Sequence, residues 1–187
     1  MTDKKSMWEE AGRAGLILGG VSAAYLALSA VTGSVSPDNT GMVLIAGAAN
    51  IILWVAKFTA CIMLMKHFMK KRSANVPEAG NSDIFRFGCA VAFLSALVYS
   101  ACYLAYVKFI APDTFSNVLE LLQDNPMMDS NSLAAAEEML PKMSGYLFFF
   151  NLFYCWLFGT VLSAIFSRNI PPVNPFKGFN DNNIDNQ

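Results

Sequence analysis

The sequence predicts an all-α membrane protein, with four transmembrane helices and an amphipathic helical insert on the extracytoplasmic side between spans 3 and 4. Three observations carry this. Charge-free runs cover 14–37, 39–56, 87–107 and 143–167, the second resuming at 58–65 after Lys57. Helices of this length cross ~30 Å of hydrocarbon at ~1.5 Å per residue. Of the 187 residues, 55% are hydrophobic, and what lies outside the runs is too short for a soluble core domain of ordinary size. Finally, the charges between the runs segregate by sign. Lys4, Lys5, Arg13, Lys66, Lys70, Lys71, Arg72, Arg86, Arg168 and Lys177 fall on one side of the spans. Asp113, Glu120, Asp124, Asp129, Glu137 and Glu138 fall between runs three and four, against only Lys142 and the flanking Lys108. Lys and Arg are retained on the cytoplasmic side, so both termini and the 66–86 loop are expected inside, with the 36–40 turn and the acidic loop outside.

These observations divide the chain into a cytoplasmic N-terminus over 1–11, a membrane domain over 12–168 and a cytoplasmic tail over 169–187. The spans are expected at about 12–35, 41–65, 84–110 and 144–167, with an external helical loop at 111–143. Span 1 carries Gly15-Leu16-Ile17-Leu18-Gly19, a small-xxx-small pattern that lets a neighbouring backbone approach, so Gly15 and Gly19 are candidate helix-packing residues. Ser22, Tyr25, Ser29 and Thr32 share one face of the same helix and read as a seam of inter-helix hydrogen bonds. Ala27-Leu28-Ser29 has the spacing of a cleavage site. However, Glu9 and Glu10 spoil a basic leader and the apolar run exceeds a signal core, so a span is expected there.

Span 2 places Asn50, Trp54, Lys57 and Cys61 on one face before the basic exit 66–72, and 75–81 is a polar turn. Span 3 aligns Ser95, Tyr99, Cys102 and Tyr106, with Tyr103 beside them. In the outer loop, Phe115, Val118, Leu119 and Leu122 follow the amphipathic helix period, with Asp113-Thr114 as a start. A second helix is expected over Leu133–Leu140, started by Asn131 or Ser132 and stopped before Pro141. Span 4 is rich in Phe, and the Asn- and Asp-rich tail after Val173 is expected to lack fixed structure.

The candidate chemistry is sparse. Lys57 is the one ionisable residue well inside a span, about 13 Å from Lys66 along the helix. It is either a cation facing a polar cavity or a side chain snorkelling to the inner headgroups. Asn50 and Asn151 fall at similar depth in spans 2 and 4. Together with Lys57, Tyr99 and Tyr103 they form a candidate polar seam or cavity. No Asp or Glu lies in a span, which weakens a proton relay. A single histidine, His67, rules out a bis-His haem, and Cys61, Cys89, Cys102 and Cys155 have no metal-ligand spacing. No catalytic, cofactor-binding or metal-binding residue is therefore assigned, and no cofactor is expected. A net charge of −1 argues against a nucleic-acid partner. The partners expected are the lipid bilayer and either a membrane protein or a second copy of the chain.

Four segments stand out when taken in order. Ala14-Gly15-Leu16-Ile17-Leu18-Gly19-Gly20 opens span 1, and Ile84-Phe85-Arg86-Phe87-Gly88 opens span 3. The acidic helical insert precedes span 4. The exit Ser163-Ala164-Ile165-Phe166-Ser167-Arg168-Asn169-Ile170-Pro171-Pro172 is followed by Asn174-Pro175-Phe176. In this order and spacing the chain resembles a bacterial family of four-helix integral inner-membrane proteins catalogued as a domain of unknown function. The resemblance implies a multi-pass protein of the bacterial inner (plasma) membrane with no assigned activity. It also implies a partner in envelope glycan or lipid-linked sugar metabolism. Three functions are open at this point. The leading expectation is a non-enzymatic accessory or scaffold subunit of an envelope system. The alternatives are a small transporter or lipid-handling subunit with a polar cavity around Lys57, and a membrane enzyme acting on a lipid-linked substrate.

Overall fold

The computed structural model describes residues 2–33, 40–76, 79–112, 117, 120, 122–123 and 129–170. Among them are four long helices: α1 (Thr2–Gly33), α2 (Thr40–Asn75), α3 (Asn81–Ala105) and α4 (Ser130–Asn169). The last turn of α3 widens into a π-helix over Tyr106–Ile110. Each long helix contains a segment long and apolar enough to cross a membrane: Lys5–Thr32, Leu44–Asn75, Asn81–Ile110 and Lys142–Asn169. The chain is thus an all-α, four-span membrane protein.

The central helix is α3, packed against α1 on one side and α4 on the other. Small residues make both crossings close. A Cβ added at Gly15 would stand 2.7 Å from Leu94 Cβ, and one at Gly19 would stand 2.6 Å from Val98 Cβ. On the opposite side, a Cβ on Gly159 would meet Ala92 Cβ at 2.5 Å, and Gly88 sits against Ser163. Inside a bilayer there is no water to expel from between helices, so this close backbone approach, with its dense dispersion contacts, is what holds them. The pairs Gly88/Ala92 and Gly159/Ser163 repeat the four-residue spacing of Gly15/Gly19. That spacing was the signal by which the α3–α4 crossing could have been found.

Helix α2 leans mainly on α1 and touches α3 and α4 lightly. The core lies toward the end where α1 begins and α2 ends. Ala11, Met65, Met69, Ile84, Phe87 and Val91 are buried there. Arg72, itself buried, pairs with Glu10 at 3.0 Å and lies over the Phe87 ring, which ties α1, α2 and α3 together. Away from that end, most large side chains of α2 and α4 are exposed, among them Ile45, Ile52, Phe149 and Phe153. They form the apolar outer surface that hydrocarbon requires.

Several sequence expectations change. Residues 2–11, expected as a cytoplasmic N-terminus, are helical and continuous with span 1 as the first turns of α1, held by the burial of Ala11 and by the Glu10–Arg72 pair. The helix expected over Leu133–Leu140 does not stop at Pro141. It is the start of α4, which runs unbroken to Asn169, so the insert expected over 111–143 ends inside span 4's own helix. A proline lacks one amide donor, and a long helix tolerates that loss where the rest of its ladder is intact. The start is set by Asp129, whose Oδ1 accepts the Ser132 amide at 3.1 Å, rather than by Asn131 or Ser132. Of the expected 115–122 helix, Asn117, Glu120 and Leu122 are helical, whereas Phe115, Val118 and Leu119 lie outside the described residues. So do most of the 36–40 turn and the tail from Pro171.

Candidate functional site

Four helices of which α2 packs only lightly on α3 and α4 leave a space between them. Because α2 and α4 barely meet, a cavity of about 170 Å³ opens at the middle of the bundle, lined by all four helices. Its polar lining comes from Ser22 of α1, Lys57 and Cys61 of α2, Ser95 and Tyr99 of α3, and Cys155 of α4. Met65 and Leu18 lie at its floor, where the packed core begins. Along the open α2–α4 side stand Trp54, Phe58, Tyr154 and Phe158. Trp54 stacks on Phe58 with centroids 5.5 Å apart, and Phe58 meets Phe158 at 5.1 Å. That contact closes the lower part of the gap. Trp54 and Tyr154, also in the lining, are 52% and 61% exposed, so this wall of the cavity reaches the outer surface of the bundle.

Lys57 points into this space. Its Nζ lies 4.5 Å from the Tyr99 ring centroid and 4.9 Å from that of Tyr25, so two helices present aromatic faces to one ammonium. A lysine at the centre of a span costs about 2.5–3.5 kcal/mol. Each ring returns about 0.5–2 kcal/mol. The two rings therefore offset much of the cost of holding the charge, but a π-face takes none of the ammonium's three N–H hydrogens as a full hydrogen bond. Among the described residues no carboxylate or hydrogen-bond acceptor pairs with Lys57.

The five residues expected to form a polar seam do not converge. Lys57 and Tyr99 meet at the cavity. Asn50 turns instead to α1, where its Oδ1 accepts from the Tyr25 hydroxyl at 3.4 Å. Asn151 donates to the Leu147 carbonyl of its own helix at 3.0 Å. It is satisfied locally because α2 stands off from α4, leaving Asn50 out of reach. Tyr103 lies beside Tyr99 and Tyr106, with centroids 6.4 and 6.5 Å away, outside the cavity lining.

The α1 seam divides in the same way. Ser22 and Tyr25 reach α2, with Ser22 Oγ 3.7 Å from Cys61 Sγ, whereas Ser29 and Thr32 bond back to Leu26 and Ser29 carbonyls. A hydroxyl in a helix finds its own backbone acceptor whenever no partner stands opposite. Sequence reasoning had Tyr25 on the correct face but missed its role as the second ring around Lys57. Only the α1–α2 packing makes that pairing.

All four cysteines are free, with Cys61 and Cys155 in the cavity wall. Among the described residues no three His, Cys, Asp or Glu side chains come together as a metal site. Neither the curated proteins nor the solved structures contain a significant match to this chain. A family model does match, over residues 13–168, which takes in all four spans, and the chain belongs to that family, described as a protein of unknown function (DUF4199).

Proposed function

We propose that this protein is a non-enzymatic membrane subunit that holds a lipid-phase ligand in the cavity around Lys57, within the inner membrane of the bacterial envelope. The carrying observation is an intramembrane ammonium flanked by two aromatic rings in the wall of a cavity, and we read the exposed Trp54 and Tyr154 of its lining as a side opening between α2 and α4. An ionisable side chain at that depth is by default the candidate functional residue of a membrane protein. A side opening bounded by aromatic side chains suits a ligand arriving through hydrocarbon rather than through water. The orientation in this proposal rests on the basic residues, which put both termini in the cytoplasm and the acidic insert outside. Membership in an envelope assembly, as an accessory component, is part of the same reading.

The test is retention of lipid by the full chain purified in mild detergent, followed by mass spectrometry. Cys155→Trp fills the cavity from the α4 side. Leu157→Trp places the same indole on the outer surface, where Leu157 is 51% exposed and outside the cavity lining. The expected result is loss of most co-purified lipid in Cys155→Trp and wild-type retention in Leu157→Trp. Equal retention by the two variants would overturn the reading.

A further inference from the structure

The proposed ligand site can be taken to a chemical class, an inference that rests on the lipid-phase reading above. Three features constrain it. The charge is a single ammonium, and among the described residues lining the cavity no other is Lys or Arg. One positive charge is matched by one negative charge, because an excess in either sign would stay buried and unpaired. The space at the ammonium is also restricted. Tyr25 and Tyr99 stand over the ammonium at 4.9 and 4.5 Å, so ring faces occupy two of its sides and a compact headgroup is favoured.

The third feature is depth. Lys57 lies nine residues before Lys66 on α2, about 13 Å along the helix axis. A phosphodiester headgroup is charged at every pH near neutrality and would have to leave the interface to reach it. A carboxylic acid reaches that depth as the neutral acid and is an anion only beside the ammonium, its proton being released to solvent. The remaining walls suit a chain. Phe58 and Phe158 meet at 5.1 Å, and Trp54 and Tyr154 carry the lining out to the exposed surface, so an apolar wall leads from the ammonium to the outside of the bundle.

We infer that the cavity binds a single-chain fatty acid, with its carboxylate on Lys57 Nζ and its hydrocarbon tail leaving between Trp54 and Tyr154. Tyr25 and Tyr99 hold the ammonium in place, and the ligand supplies the acceptor oxygens that the described protein side chains do not. Ser22 and Ser95, in the same lining, are within the polar part of the pocket and leave the opposite, aromatic side to the chain.

The experiment is equilibrium binding of radiolabelled palmitate to the full chain in nanodiscs of zwitterionic lipid. Methyl palmitate and phosphatidylglycerol serve as competitors, and Lys57→Met and Lys57→Arg as variants. The expected result is saturable binding that weakens about tenfold or more in Lys57→Met, as loss of a charged hydrogen bond implies. Lys57→Arg, which keeps the charge, should stay within a few-fold of wild type. Methyl palmitate, equal in chain but neutral, and phosphatidylglycerol should compete poorly. Thermal unfolding of Lys57→Met at the wild-type temperature or above confirms that the fold is intact.

If Lys57→Met binds palmitate as wild type does, or if methyl palmitate competes equally, the carboxylate assignment is overturned while the lipid cavity stands. Preferential displacement by phosphatidylglycerol overturns it in favour of a phospholipid headgroup. Absence of saturable binding by any of the three, together with equal lipid retention by Cys155→Trp and Leu157→Trp, removes both the assignment and the proposed function.

Discussion

At the residue scale, identical amino acids in one helix have opposite roles. Gly15 and Gly20 lie five residues apart in α1. A Cβ at Gly15 would come within 2.7 Å of Leu94 Cβ and 3.3 Å of the Ser95 backbone nitrogen, whereas nothing stands within 4 Å of one at Gly20. Gly15→Ala therefore forces α1 away from α3 and should destabilise the bundle by about 1–3 kcal/mol. Gly20→Ala gains helix propensity at no steric cost and should stabilise by up to about 1 kcal/mol. Thermal unfolding in one detergent checks the opposite signs; a common sign would show that the α1–α3 crossing is looser than described. Lys57 gives the same lesson for the site. Its singularity was legible from the sequence, since no other charge interrupts a run. Its companions were not, because Tyr25 lies 32 positions away on a different helix and is brought near only by packing.

At the element scale, α4 shows where local signals fail. The proline rule places a stop before Pro141, and the helix passes through it. Composition divides the apolar run from the acidic segment ahead of it, but Pro141 removes only one donor and crowds one carbonyl, a local cost that the long helix on either side of it tolerates. The start of α4 does follow local chemistry. The Ser132 hydroxyl and amide both bond to the Asp129 carboxylate and hold it below the usual carboxylate range. A lowered folded-state value means that the cap contributes at pH above the ordinary carboxylate range and is lost as pH falls through the lowered value. Amide exchange at Ser132 should therefore slow from acid to neutral pH, after correction for intrinsic exchange. Asp129→Ala should abolish that protection throughout. Asp129→Asn should keep it with no pH dependence, since Asn caps equally well without a charge. Protection of Ser132 unchanged in Asp129→Ala would show that the cap does not set this terminus.

At the scale of the whole molecule, the charge distribution and the packing make separate statements. The basic residues on one side and the acidic insert on the other predict a topology. A periplasm-dependent reporter inserted after Gln123 should be active and the same reporter at residue 187 silent, with a cytoplasm-dependent reporter giving the reverse. An active periplasmic reporter at residue 187 would invert the topology. The sequence by itself determined that the chain is an all-α membrane protein with four apolar spans, and it singled out Lys57 as the one charge interrupting a run. It could do so because hydrophobic run length and charge sidedness are local properties, fixed by transfer between water and hydrocarbon. Only the tertiary structure decided that α3 is central, that α2 stands away from α4, and that Lys57 faces a cavity between two tyrosines while Asn50 and Asn151 turn elsewhere. In lipid every helix face is equally apolar, so hydrophobic pattern does not choose neighbours. Steric fit among Gly15, Gly19, Gly88, Gly159 and the side chains opposite them does, and that fit exists only once the helices are together.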